Sequence, residues 1–179
     1  MSRAKPDKLS AVCCGRDTVG PLAGANGKQP CSALNWAMQW YRFDELAAAQ
    51  LYEMLAFRQA VFVVEQRSPY FDLDGRDQVA AHLLLRRDGE LAGYLRLIHE
   101  AAAVRIGRVA VAPDRRRQGI GRILVEAALR RCREDFVALP VRLSAQTYLV
   151  PFYRSFGFAP VSEPYDDYGV PHVDMMKEG

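Results

Sequence analysis

The chain has no run of apolar residues near the ~20 needed to cross a bilayer, and its 179 residues include only 4 cysteines and 3 histidines. The first absence excludes a helical membrane span, and no membrane partner is expected. The cysteines are Cys13, Cys14, Cys31 and Cys132, and no two form a C-x-x-C pair. Neither a zinc site nor a disulfide framework is therefore expected. No long apolar segment suits a secretory signal, so reduced thiols in a cytoplasmic protein are expected. No metal is expected: Asp72, Asp74 and Asp77 resemble the start of a calcium loop, but position 12 of that loop falls on Leu83.

Excess charge of one sign is also missing from most of the chain. The net +3 arises within residues 1–35, where Arg3, Lys5, Lys8, Arg16 and Lys28 face only Asp7 and Asp17. Residues 36–179 are neutral overall, which gives no support for a nucleic-acid partner. Large apolar residues are scarce in 1–35, so this stretch is read as a disordered N-terminal extension. Residues 36–179 are read as a single domain. Met38 stands immediately before folded-looking sequence and is a candidate start for it.

The periodicity in 36–179 predicts a mixed α/β order. A helix is expected from Asp44 as N-cap, with Ala47, Leu51, Leu55 and Phe62 as its buried stripe. Strands are expected over 82–86 and 91–98, joined at Asp88-Gly89, and over 104–112. A helix over 121–132, a strand over 141–145 and a short helix over 148–156 follow. Pro151 fits that helix's first turn, and Gly157 fits its end. Final strands are expected over 158–162 and 172–176. A hairpin before strand–helix–strand units implies a mixed sheet flanked by helices.

The most informative segment is Val109-Ala110-Val111-Ala112-Pro113-Asp114-Arg115-Arg116-Arg117-Gln118-Gly119-Ile120-Gly121-Arg122. It reads as a strand, a basic loop and a glycine-bearing helix start. Helix N-termini present unpaired N–H groups and favour anions. Glycines let a phosphate approach the backbone, and arginines add charge. The P-loop is excluded because no Lys-Ser or Lys-Thr follows. The dinucleotide fingerprint is excluded because Leu124 stands where its third glycine belongs.

Arg116-x-x-Gly119-x-Gly121 after an apolar strand resembles the pyrophosphate loop of the GNAT acyltransferase superfamily. Tyr153-Arg154-Ser155-Phe156-Gly157-Phe158 resembles that superfamily's tyrosine and Gly-Phe signature. Further segments resemble its ElaA-like branch: Arg58 to Gln66, Pro69-Tyr70, Asp72-x-Asp74-Gly75-x-Asp77, Ile106-Gly107-Arg108-Val109, Leu143-Ser144-Ala145-Gln146 and Gly169-Val170-Pro171-His172. The resemblance implies the GNAT acyl-CoA N-acyltransferase fold and an acetyl-CoA-dependent N-acetyltransferase. The acceptor would be a small-molecule or protein amine. It implies cofactor contacts at Arg117, Gln118, Gly119, Ile120, Gly121 and Arg122, with Arg116 at the family's Arg/Gln position. Val109 and Val111 would pair with the pantetheine arm. The amide near Val109 or Ala110 would polarise the thioester carbonyl. Tyr153 would protonate the leaving thiolate, and Gln146 stands where the family often has Asn.

The family's strand carboxylate is missing, because residues 104–112 hold no acid. Glu65, after a four-residue apolar run, is the first candidate base, expected to be partly buried with a raised pKa. A structural salt bridge with Arg58 is the competing reading. His82 and His172 are each either cleft-facing or structural. Acids and aromatics at Tyr70, Asp72, Asp74, Tyr165, Asp166, Asp167 and Tyr168 suit a cationic acceptor or a solvated loop. A non-catalytic CoA-binding module and an acyl-homoserine-lactone synthase-like enzyme using S-adenosylmethionine are the alternatives. A homodimer is left open.

Overall fold

Leu83-Leu84-Leu85 and Leu91 to Ile98 are apolar without alternation, a pattern of strands covered on both faces. The computed structural model, which describes residues 36–179, shows why. The expected extension over 1–35 lies outside the described residues. The elements run β1 (Trp36–Arg42), α1 (Ala48–Arg58), β2 (Ala80–Arg87), β3 (Glu90–Glu100), β4 (Ala103–Val111), α2 (Ile120–Asp135), β5 (Val141–Gln146), α3 (Val150–Arg154), β6 (Ala159–Pro160), β7 (Tyr165–Asp167) and β8 (Val170–Lys177). The strands form one sheet in the order β1-β2-β3-β4-β5-β8-β6, with β7 also on β8. Among the described residues, only β4 and β5 pair in parallel.

One face of β2 and β3 packs under α2. Leu83, Leu85, Leu95 and Leu97 meet Leu124, Val125 and Ala128 there. The other face meets α1, where Met54 joins Leu84 and Tyr94. Each fully buried leucine contributes about 2 kcal/mol. Gly93 sets how closely α2 approaches β3: a Cβ there would stand 2.9 Å from Ile120 Cγ2. This close approach fixes the first turn of α2 against the sheet.

The Asp88-Gly89 turn forms as expected, with φ of 53° and 86°. The helices and strands expected from 104 onward match within a few residues, and β7 is a strand beyond those expected. The N-terminal part needs correction. Asp44 does not cap a long helix, because its carboxylate takes the Arg42 guanidinium at 2.7 Å within a 3₁₀ turn. The helix begins after Ala47, whose N–H donates to Gln50 Oε1 at 3.0 Å. Its buried face is Met54 and Arg58, continued by Val61, whereas Ala47 is exposed. Residues 59–65 widen into π-helical turns. β1 begins before Met38, and Trp36 lies under the Arg87 guanidinium at 5.3 Å.

Candidate active site

β4 and β5 pair only at Val104–Val141 and Arg105–Arg142. Beyond that point β5 follows β8, and β4 swings away through a bulge opposite Leu95. The bulge places Arg108 at φ 53°. Bulges bend a strand and re-aim its backbone groups. The strands splay, and a cavity of about 880 Å³ opens between them. It runs from the first turn of α2 to the loop over 66–76 and the β7–β8 turn.

At one end the backbone alternates conformation. Arg116 is extended, Arg117 lies at φ 61° and Gly119 at φ 79°. Such alternation turns successive N–H groups into one concavity. The left-handed Arg117 costs about 1 kcal/mol or more, strain typical of a functional turn. The first backbone bond of α2 runs from the Ile123 N–H to the Gly119 carbonyl at 3.1 Å. The N–H groups of Ile120, Gly121 and Arg122 are thus the open end of the helix. Gly121 is helical, and a Cβ there would touch only Phe152 Cζ, at 3.6 Å. The fold therefore does not require this glycine.

The sequence candidates converge. Val109, Ala110, Val111, Arg116, Arg117, Gly119, Ile120, Gly121, Arg122, Gln146, Tyr153 and Glu65 all line this cavity. Gln118 stands outside it, taking a hydrogen bond from Arg87 Nη1. Arg122 lies 4.8 Å over the Phe156 ring. Gln146 donates to Gln66 Oε1 at 3.1 Å.

Tyr153 is buried between Phe152 and Phe158, both edge-on, at 5.0 and 6.1 Å. No acceptor among the described residues takes its hydroxyl. Burial, with the nearby Tyr148, pushes the phenol up to about 12, so it stays a proton donor throughout the neutral range.

Glu65 departs from expectation. It is exposed, and Arg116 rather than Arg58 holds it, with hydrogen bonds of 2.6 and 2.7 Å. The bonds from Arg116 outweigh slight desolvation and lower its pKa, the opposite of what a tuned base needs.

Arg58 instead anchors a buried network that the sequence reading missed. It donates to Asp72 Oδ2 at 2.8 Å, the Asp72 carbonyl at 2.9 Å and Asp77 Oδ1 at 2.7 Å. Arg96 bridges Asp77 and Asp74, and Arg108 donates to Asp72 Oδ1 at 2.6 Å. Burial would raise Asp74 and Asp77, but the arginines outweigh it and hold both below the usual carboxylate range. Asp72 and Asp74 therefore pin the 66–76 loop to β3 and β4 and are not free to attract a cation. His82 is structural: its Nε2 donates to the Asp77 carbonyl at 2.9 Å, and its Nδ1 accepts from Tyr94 at 2.7 Å.

Residues 46–179 match the model of a family described as the acetyltransferase (GNAT) domain. The protein ElaA of Escherichia coli is 42% identical over 140 residues, covering 75% of this chain and 92% of ElaA. The crystal structure of E. coli ElaA superposes with a TM-score of 0.76, covering 82% of this chain and all of that one. An acyl-CoA N-acyltransferase structure from Pseudomonas aeruginosa gives 0.73 at 39% identity, with 81% and 99% coverage. The UPF0039 protein sll0451 of Synechocystis is 39% identical over 147 residues, 80% of this chain and 94% of its own.

Proposed function

Because the chain belongs to the GNAT acetyltransferase family, whose members transfer acyl groups from acyl-CoA, we propose that it moves an acetyl group from acetyl-CoA to an amine. The observation that carries this reading is the N–H cradle at Arg116 to Arg122, opening onto the cavity that Tyr153 lines. The cradle takes the pyrophosphate, and Arg117 and Arg122 add charge. The edge of β4 released by the splay offers backbone N–H and C=O groups at Val109 and Val111 to the pantetheine arm. An N–H at Val109 or Ala110, re-aimed by the bulge, polarises the thioester carbonyl.

The Tyr153 hydroxyl, having no partner among the described residues, is available to the sulfur. As the C–N bond forms and the C–S bond breaks, the thiolate takes the Tyr153 proton. Glu65 holds Arg116 at the cradle's edge. Gln146 is engaged with Gln66 and serves as wall.

The test is release of CoA thiol from acetyl-CoA, with and without n-butylamine, alanine or spermidine. Amine-dependent release supports the reading. Acetyl-CoA binding without turnover on any amine leaves a CoA-binding module instead.

A further inference from the structure

We infer that His172 is the general base of the transfer, accepting the acceptor amine's proton at Nε2; this rests on the acyl-transfer reading above. His172 is the histidine that lines the cavity, and it differs from the buried His82 in one respect. Both ring nitrogens of His82 are bonded and the residue is sealed in. His172 has only its Nδ1 engaged, 2.8 Å from the Val170 carbonyl. A carbonyl accepts and cannot donate, so Nδ1 carries the proton and Nε2 holds the lone pair. No group among the described residues bonds Nε2, and it is not among the sealed, unpartnered atoms. His172 lines the cavity beside its cross-strand neighbour Gln146.

Of the other carboxylates on the cavity wall, Asp167 stands beside His172 itself, and the rest are committed to arginines. Arg116 occupies Glu65, and Arg96 and Arg108 occupy Asp74. β4 contributes no acid. The elements packed on β8 at this point bring Tyr165 and Asp167 from β7, Gln146 from β5 and Tyr148 from the turn after β5. The Tyr165 ring stacks on the imidazole at 6.3 Å. The Asp167 carboxylate stands 4.0 Å from Nδ1, where it steadies the imidazolium once Nε2 is protonated.

The acceptor arrives as an ammonium ion. Nε2 removes one proton and passes it to solvent at the cavity mouth. The freed lone pair attacks the thioester carbon, and the C–S bond breaks. The nitrogen sheds a second proton, which makes up for the one Tyr153 gives the sulfur. The products are an N-acetyl amine, CoA thiol and one released proton.

The test compares wild type with His172→Asn, whose amide keeps a donor near the Val170 carbonyl but removes Nε2. Calorimetry with acetyl-CoA and amine-dependent turnover of wild type test the reading itself; failure of either removes the base along with it. Given both, His172→Asn should bind acetyl-CoA as wild type does. It should lose about 10²-fold in kcat/KM and lack the acid limb of the pH profile. A variant with the wild-type rate and profile overturns the proposal. Nitrogen NMR of the wild-type imidazole gives a readout independent of any variant. A neutral imidazole with its proton on Nδ1 and Nε2 bare supports the inference, and a neutral imidazole with its proton on Nε2 overturns it.

Discussion

Two parallel hydrogen bonds, of 2.6 and 2.7 Å, join the Arg116 guanidinium to the Glu65 carboxylate across the mouth of the N–H cradle. The pair is too exposed to matter much for stability, where such bridges contribute about 1 kcal/mol or less. Its consequence is positional, since it fixes a cation beside the N–H groups of α2. Glu65→Gln should shift the acetyl-CoA dissociation constant and leave kcat within about 3-fold, because no proton passes through Glu65. Steady-state kinetics beside calorimetry checks this. A fall of about 10²-fold in kcat at unchanged affinity would make Glu65 the base.

Gly121 trades stability for access. Replacing a helical glycine by alanine gains up to about 1 kcal/mol, less in the first turn, and the added Cβ meets only Phe152 at 3.6 Å. Gly121→Ala should therefore melt at or above the wild-type temperature. It should also bind acetyl-CoA about 10-fold more weakly, a loss of about 1.4 kcal/mol. Thermal melts paired with calorimetry read both. Unchanged affinity would mean that no ligand group approaches residue 121.

Tyr153→Phe removes a hydroxyl without a partner among the described residues, so no hydrogen bond among them is lost. Stability should hold within about 0.5 kcal/mol, and acetyl-CoA affinity should also hold. Single-turnover rates should fall by about 10- to 100-fold, the low range for a general acid. A variant with full activity would leave Tyr153 as packing between Phe152 and Phe158.

Arg58 is fully buried beside Asp72 and Asp77. Arg58→Met leaves Asp72 to Arg108 alone and Asp77 to Arg96 alone, and breaking buried pairs in this way costs about 3–5 kcal/mol. Urea unfolding should show a loss of that size. The pH dependence has a definite sign. Asp74 and Asp77 have native pKa values lowered below the unfolded value of about 3.9, so their contribution is complete above that value. It is lost as pH falls through the lower native values. Stability from these groups should be flat from pH 7 to about 5 and fall steeply below about 4. Arg58→Met should flatten the part of that acid limb that Asp77 contributes.

The contrast between Glu65 and Tyr153 shows how far the sequence could be read. Tyr153 stands in a local frame, with Pro151 before it and Gly157 after it, and short-range rules locate such helices. The cradle was legible for the same reason, since its strand, turn and helix are contiguous. Glu65 depends on Arg116, 51 residues away, a pairing that no local pattern encodes. Arg58 was hidden differently. Hydropathy assigns arginine to the surface, so a helix burying Met54, Arg58 and Val61 reads as one burying its leucines. β1 escaped notice because as an edge strand it is mostly exposed and shows no alternation.

The most direct measurement is calorimetric titration of the protein with acetyl-CoA and, separately, with acetyl-pantetheine, which has the thioester arm but no pyrophosphate or nucleotide. If the N–H cradle at Arg116 to Arg122 holds the pyrophosphate, acetyl-CoA binds at least about 100-fold more tightly, a difference of about 2.8 kcal/mol. Gly121→Glu should abolish that advantage while the protein stays folded. Equal affinity for the two compounds, or no binding of acetyl-CoA, would contradict the account.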